Sequence, residues 1–181
     1  MGKTEDKFFK LLKLVDDCRE KLHATYNLYS ARLIECKTEL KEELSDLYSQ
    51  LLDVREELLS AKKVVKSRQS KIKSSADDLY ASHNKVVDRV EHCMDECNMC
   101  KKTYTHEAKL CFDTYKKLDT DDLSIRIKKG FVQQMKFIKA ILGKIDIVKN
   151  EYLEVKAGIK NESKMFVEEY NKIDKKVVEL V

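Results

Sequence analysis

The sequence contains no proline and no tryptophan, and only four of its 181 residues are glycine. Proline and glycine most often end helices and form turns, so their scarcity argues against many short elements joined by tight turns. No stretch approaches the roughly 20 consecutive apolar residues that cross a bilayer as a helix. Charge is abundant instead, because 38% of the residues are Asp, Glu, Lys or Arg. This composition predicts long helices with narrow apolar seams and solvated faces.

Recognisable catalytic and cofactor motifs are absent as well. The sequence has no glycine-rich phosphate loop, no nucleophile elbow and no His-Glu-x-x-His, and its four histidines are scattered. A net charge of +4 is too small to predict a nucleic-acid partner. We therefore expect a protein that is not an enzyme, needs no cofactor and binds no nucleic acid.

The N-terminus has neither the apolar segment nor the small-residue cleavage site of a secretory signal, which predicts a cytoplasmic protein with reduced cysteines. A mature ectodomain with oxidised cysteines would have the same sequence, and the sequon Asn161-Glu162-Ser163 is compatible with it. A secreted or cell-surface protein is therefore the alternative.

Apolar residues recur in alternating steps of three and four from Phe8 to Val65, which predicts one helix over about residues 5–68 with a heptad seam. Two consecutive steps of four, at Cys36, Leu40 and Leu44, form a stutter that changes the local winding without breaking the helix.

The pattern fades after Val65, and Ser74 and Ser75 each precede an acidic residue by three positions, as in helix N-caps. We therefore predict a turn at about residues 69–75, a second helix over about 76–118 and a third over about 122–181. The alternative is a first helix that continues to residue 118.

These elements predict an all-α fold. Residues 1–181 would form a single domain, an elongated antiparallel three-helix bundle or coiled coil with helices of unequal length. In that register the seam overhangs at both ends, from Phe8 to Leu22 and from Phe166 to Val181. A buried Leu or Phe forgoes about 1.5 to 3 kcal/mol when it is left in water. We therefore expect a dimer, another helical protein or a membrane to cover the overhangs.

Three cysteines lie close together in the second helix, at Cys93, Cys97 and Cys100. They are weak candidates for a metal site, because one straight helix separates the first and third by about 10 Å along its axis. Their place on the seam favours buried core cysteines, so we expect no metal; a metal shared between helices is the alternative. A turn near residue 73 would also place Cys36 level with Cys111, which predicts a close thiol pair.

Two basic segments are candidate contacts with a membrane or a partner. The first places lysines on one arc of the helix and apolar residues on the opposite arc, as in an interfacial membrane helix: Lys7, Phe8, Phe9, Lys10, Leu12 and Lys13. The second contains no acidic residue and falls near the predicted turn: Lys62, Lys63, Lys66, Arg68, Lys71 and Lys73. The alternative is that the first segment continues the bundle seam and the second keeps the turn soluble.

The sequence thus predicts a helical scaffold or interaction protein, in its sharpest form a dimer that rests on anionic membrane. This arrangement resembles the architecture of BAR-type membrane modules, although the middle helix is short for that family. A structural coiled-coil component of the cytoskeleton or another large assembly is one alternative, and a cell-surface helical-bundle receptor is the other.

Overall fold

A computed structural model of the chain describes residues 3–60, 66–121 and 123–179. Within these ranges nearly all residues are helical and none lies in a β-strand, which confirms the predicted all-α fold class. The elements are α1 (Lys3–Glu35), a π-helical turn (Cys36–Leu40), α2 (Lys41–Ser60), α3 (Lys66–His92), α4 (Asp95–Lys117) and α5 (Ile125–Glu179). Their length follows from the three-and-four spacing of apolar residues and from the absence of proline.

The chain divides into two compact units. Unit 1 contains Met1–Arg32 and Met94–Glu151, and unit 2 contains Leu33–Cys93 and Tyr152–Val181. Each unit therefore consists of two segments of the chain, and the second segment of each includes part of α5. The prediction of a single domain stays a prediction.

Unit 1 packs α1, α4 and the first part of α5 around an aromatic cluster. The rings of Tyr115 and Phe131 stack with centroids 4.1 Å apart, and the Phe8 ring lies 6.1 Å from that of Phe131. Toward the end of α1, the Tyr29 hydroxyl donates a hydrogen bond of 2.5 Å to Asn98 Oδ1 at the start of α4. The two helices are therefore antiparallel. The buried core comprises Phe8, Leu11, Val15, Cys18, Leu22, Ala108, Cys111, Leu123, Phe131 and Ile138.

Unit 2 packs α2, α3 and the second part of α5 in the same manner. Arg89 of α3 bridges Glu35 and Glu43 at 3.3 and 3.1 Å, while Arg68 lies 3.5 Å from Glu57, so α2 and α3 are antiparallel. The apolar core residues include Leu44, Leu51, Leu58, Ile72, Val86, Val90, Tyr152, Ile159, Phe166 and Ile173.

The predicted turn at residues 69–75 is wrong, because this segment lies within α3. Gln69, Ile72 and Ala76 are buried and continue the seam. In the sequence the apolar seam is interrupted here because the buried Gln69 is polar. Ser74 and Ser75 resemble N-caps in the sequence, but they are exposed residues within the helix. The alternative of a continuous first helix is also wrong, since α2 and α3 run in opposite directions.

The predicted overhangs are wrong for the same reason. Because α3 begins at Lys66, the end of α4 reaches Phe8, whose ring lies 6.2 Å from that of Tyr115. Phe8 and Leu22 are fully buried within unit 1, and Phe166 is fully buried within unit 2. The expected dimer stays a prediction, but uncovered seams no longer support it.

The predicted second helix is interrupted at Cys93 and Met94. Met94 has φ −103° and ψ 0°, in the sparsely populated bridge region, and its side chain is buried. A regular heptad would bury Cys93 between Val90 and Cys97, whereas the interruption places Met94 there instead. Two shorter helices, α3 and α4, are the result.

The predicted stutter coincides with the π-helical turn at Cys36–Leu40. The wider turn of a π-helix suits consecutive apolar steps of four, so Cys36, Leu40 and Leu44 all remain buried. As expected, the helix continues without a break from α1 into α2.

Candidate functional site

The first predicted basic segment has its charges outside and its main apolar residues inside. The lysines are exposed, at Lys7, Lys10 and Lys13. Phe8 is fully buried and Leu12 packs against the core of unit 1, whereas Phe9 is 48% exposed. Phe8 is therefore not a membrane contact, because its neighbours in the folded chain already remove it from water. The structure therefore favours the alternative prediction, in which this segment continues the apolar seam of the bundle.

The second predicted basic segment is partly neutralised. Lys62 and Lys63 lie outside the described residues. Lys66, Arg68, Lys71 and Lys73 are exposed on α3. Arg68 pairs with Glu57 at 3.5 Å and Lys73 with Asp174 at 3.9 Å, and the intervening Ile72 is buried. Two of the four described basic residues, Lys66 and Lys71, pair with no described carboxylate, and the buried Ile72 adds no apolar contact to this surface.

A third basic surface lies on the first part of α5, and the sequence prediction missed it. From Leu123 to Ile145 the sequence has six basic residues and no acidic residue. Alternating steps of four and three place one set of exposed residues along a single stripe of the helix. We call this stripe the basic face of α5, and it consists of Ile125, Lys129, Val132, Lys136 and Lys139.

The basic face exposes apolar side chains among its charges. Ile125 is 70% exposed and Val132 is 45% exposed. Among the described residues, none forms an ion pair with Lys129, Lys136 or Lys139. The combination of unpaired lysines and exposed apolar residues differs from an ordinary solvated helix face, where acids alternate with lysines.

Unit 1 also holds the net charge of the chain. Its sequence contains 19 Lys or Arg and 14 Asp or Glu, a net charge of +5, whereas unit 2 contains 17 and 18, a net charge of −1. A groove between α4 and α5, with a volume of about 420 Å³, adds to this positive potential. Its lining residues are Asn98, Lys101, Lys102, Thr105, His106, Lys109 and Lys149. Lys101 is partly neutralised there by Asp146 at 2.7 Å. The field of unit 1 therefore attracts anions to its surface.

The three clustered cysteines are divided between the two units. Cys93 belongs to unit 2, whereas Cys97 and Cys100 belong to unit 1 near Tyr29, whose pKa is raised to about 12 mainly by burial. Within the described ranges, no group of three or more His, Cys, Asp or Glu side chains is arranged to hold a metal ion.

The predicted pairing of Cys36 with Cys111 is wrong. The Cys36 sulfur lies 2.9 Å from that of Cys93 within unit 2. Cys111 instead lies within hydrogen-bond distance of Cys18 in unit 1. The prediction paired the wrong residues because it placed the reversal of the chain near residue 73, whereas α3 already begins at Lys66.

A buried histidine anchors an aromatic cluster in unit 2. The His83 ring is 1% exposed and stacks on Phe166 with centroids 4.2 Å apart. Its Nδ1 lies 3.1 Å from Asn84 Oδ1 and its Nε2 lies 2.9 Å from Ser163 Oγ. Because the amide oxygen is an acceptor, we assign the proton to Nδ1, and Nε2 then accepts a hydrogen bond from Ser163. Burial lowers the pKa of His83 from its ordinary value of 6.5.

This lowered pKa predicts that the folded chain loses stability in mild acid. The unfolded chain, in which His83 titrates near 6.5, takes up a proton first as the pH falls. The stability that neutral His83 contributes is therefore fully present above pH 6.5 and is lost below it. The free energy of unfolding should fall by up to about 1.4 kcal/mol per pH unit until the pH reaches the pKa of His83 in the folded chain. Urea denaturation between about pH 7 and 5.5 measures this slope.

His83→Gln should reduce the slope, and the same change at the exposed His106 is the control. A slope that is equal in wild type and His83→Gln would contradict the assignment to His83.

No family model, curated protein or solved structure matches this chain.

Proposed function

We propose that this protein is a non-enzymatic helical scaffold that binds anionic membrane surfaces through the basic face of α5. The observation that carries the proposal is the acid-free stretch from Leu123 to Ile145, in which lysines that pair with no described residue alternate with exposed apolar residues. None of the described helices is long and apolar enough to cross a bilayer. The proposed association is therefore peripheral, at a cytoplasmic leaflet where anionic lipids are concentrated.

Electrostatic attraction supplies one part of the affinity. Each Lys or Arg near an anionic leaflet contributes about 1 kcal/mol, and Lys129, Lys136 and Lys139 follow one another along a single stripe. Their ammonium groups have no competing carboxylate among the described residues. The net charge of +5 on unit 1 extends the attraction beyond the stripe itself.

The apolar residues of the face favour lipid over nucleic acid. Ile125 and Val132 are exposed among the lysines, and a phosphate backbone would leave them in water. At a membrane they enter the boundary between headgroups and acyl chains, where burial of apolar area adds to the charge attraction. A face that contained lysine alone would not make this distinction.

The scaffold role rests on buried polar side chains that form hydrogen bonds between helices. Tyr29, His83 and Tyr152 carry polar groups that could do chemistry, but each is buried and hydrogen-bonded, to Asn98, Ser163 and the Val90 carbonyl respectively. These groups stabilise packing between helices. Within unit 1, the packed helices hold the basic face of α5 in position.

Co-sedimentation with vesicles tests the proposal. The chain should bind phosphatidylcholine vesicles that contain phosphatidylserine, and should not bind vesicles of phosphatidylcholine alone. Binding should weaken between about 0.1 M and about 1 M salt, because the Debye length falls from about 10 Å to about 3 Å. Equal binding to both vesicles, or binding to neither, would contradict it. Binding to a short DNA duplex without binding to vesicles would assign the face to nucleic acid instead.

A further inference from the structure

Two cysteines of unit 2 face each other across antiparallel helices. Cys36 begins the π-helical turn and Cys93 immediately follows α3, and their sulfur atoms are 2.9 Å apart. A disulfide bond has a length of about 2.05 Å, so a shift of less than about 1 Å would join them. The π-helical turn and the end of α3 both depart from regular α-helix, which makes a local adjustment easier than in the middle of a helix.

The two thiols also differ in access. Cys36 is fully buried, whereas Cys93 is half-buried. A reagent in solution can therefore reach Cys93 first, and Cys36 lies directly behind it. This is the arrangement of an attacking and a resolving cysteine.

We propose that Cys36 and Cys93 form an interhelical disulfide by exchange with a small-molecule disulfide of the glutathione class. The Cys93 thiolate attacks one sulfur of glutathione disulfide and expels a glutathione thiolate, which leaves a mixed disulfide on Cys93. The Cys36 thiolate then attacks the Cys93 sulfur and expels the second glutathione thiolate. The two cysteine protons end on the two released glutathione thiols. The protein pair loses two electrons and glutathione disulfide gains them.

The other facing pair provides an internal comparison. Cys18 and Cys111 of unit 1 are both buried, so a reagent reaches neither of them first. Burial, together with the neighbouring Cys111 and Glu107, raises the pKa of Cys18 to about 11. Little thiolate is therefore present at neutral pH, and exchange at this pair should be slow.

A bond between Cys36 and Cys93 would stabilise unit 2. It would close a loop of more than about 50 residues in the unfolded chain, which raises the melting temperature by roughly 10 °C for a chain of this size. It would also fix the register between the π-helical turn and α3. The oxidised chain should therefore melt at a higher temperature than the reduced chain, and dithiothreitol should reverse the change.

Peptide mapping of the native full-length chain tests the proposal. The chain is incubated with glutathione disulfide, its remaining thiols are alkylated in denaturant, and it is digested with trypsin. Cys36 lies on the peptide 33–37 and Cys93 on the peptide 90–101, and a second cleavage before Asp95 separates Cys93 from Cys97 and Cys100. The expected result is a Cys36–Cys93 cross-linked peptide and the loss of two alkylation sites.

Cys93→Ser should abolish the cross-linked peptide and the rise in melting temperature. Cys100→Ser, at a second half-buried cysteine, should leave both unchanged. A glutathione adduct that persists on Cys93, a bond that joins either residue to another cysteine, or complete alkylation of Cys36 and Cys93 after treatment would each overturn the proposal.

Discussion

Phe8→Ala is expected to lower the free energy of unfolding by about 3 to 5 kcal/mol, the range found for Phe→Ala changes in packed cores. The Phe8 side chain is fully buried, and its ring lies 6.2 Å from Tyr115 and 6.1 Å from Phe131. Alanine would remove the ring from this cluster and leave a cavity where α1, α4 and α5 meet. Urea denaturation followed by circular dichroism measures the loss.

The adjacent Phe9 offers a matched control, because it is 48% exposed. Phe9→Ala removes the same atoms from a site that water already reaches, so it should lower the free energy of unfolding by about 1 kcal/mol or less. If both variants were equally stable, unit 1 would not enclose Phe8, and the N-terminal segment would again be available to a membrane.

Replacing Lys129, Lys136 and Lys139 together with glutamine is expected to weaken binding to anionic vesicles by about 100-fold. Three lysines at about 1 kcal/mol each contribute about 3 kcal/mol, and each 1.4 kcal/mol corresponds to a factor of ten. All three are exposed, so the helix should tolerate glutamine with little change in stability. Titration with vesicles that contain phosphatidylserine measures the affinity.

A control variant removes the same charge from unit 2. Lys160, Lys164 and Lys175 of α5 are also exposed, and their replacement with glutamine changes the net charge equally. This variant should keep most of the affinity, because these lysines lie outside the basic face of α5. An equal loss in both variants would mean that net charge, and not this face, determines binding.

The spacing of apolar residues was sufficient to predict the all-α fold and the location of the stutter. The register was not predictable, because it depends on buried polar residues. Gln69 and His83 occupy core positions, and a search for apolar spacing treats such residues as the end of a seam. The wrong turn then led to the wrong thiol pair and to overhangs that the structure does not have.

The candidate site shows the same limit. The acid-free stretch from Leu123 to Ile145 is visible in the sequence, but apolar residues occur both on its seam and on its exposed face. The apolar spacing of the third helix predicts that Phe131 is buried, which the structure confirms, but only the packing shows that Val132 is exposed among the lysines. At the N-terminus the spacing allows Phe8 to be either a seam residue or a membrane contact, and only its burial in the structure assigns it to the core.

A tryptophan at the basic face of α5 tests the central claim most directly. The sequence contains no tryptophan, so Val132→Trp gives a single reporter without background. Met165→Trp places the same reporter at an exposed site of unit 2. On vesicles with phosphatidylserine, emission from the first variant should shift to shorter wavelength as the indole enters the lipid interface, and emission from the second should not. If neither shifts, or if both shift equally, the basic face of α5 is not the membrane contact.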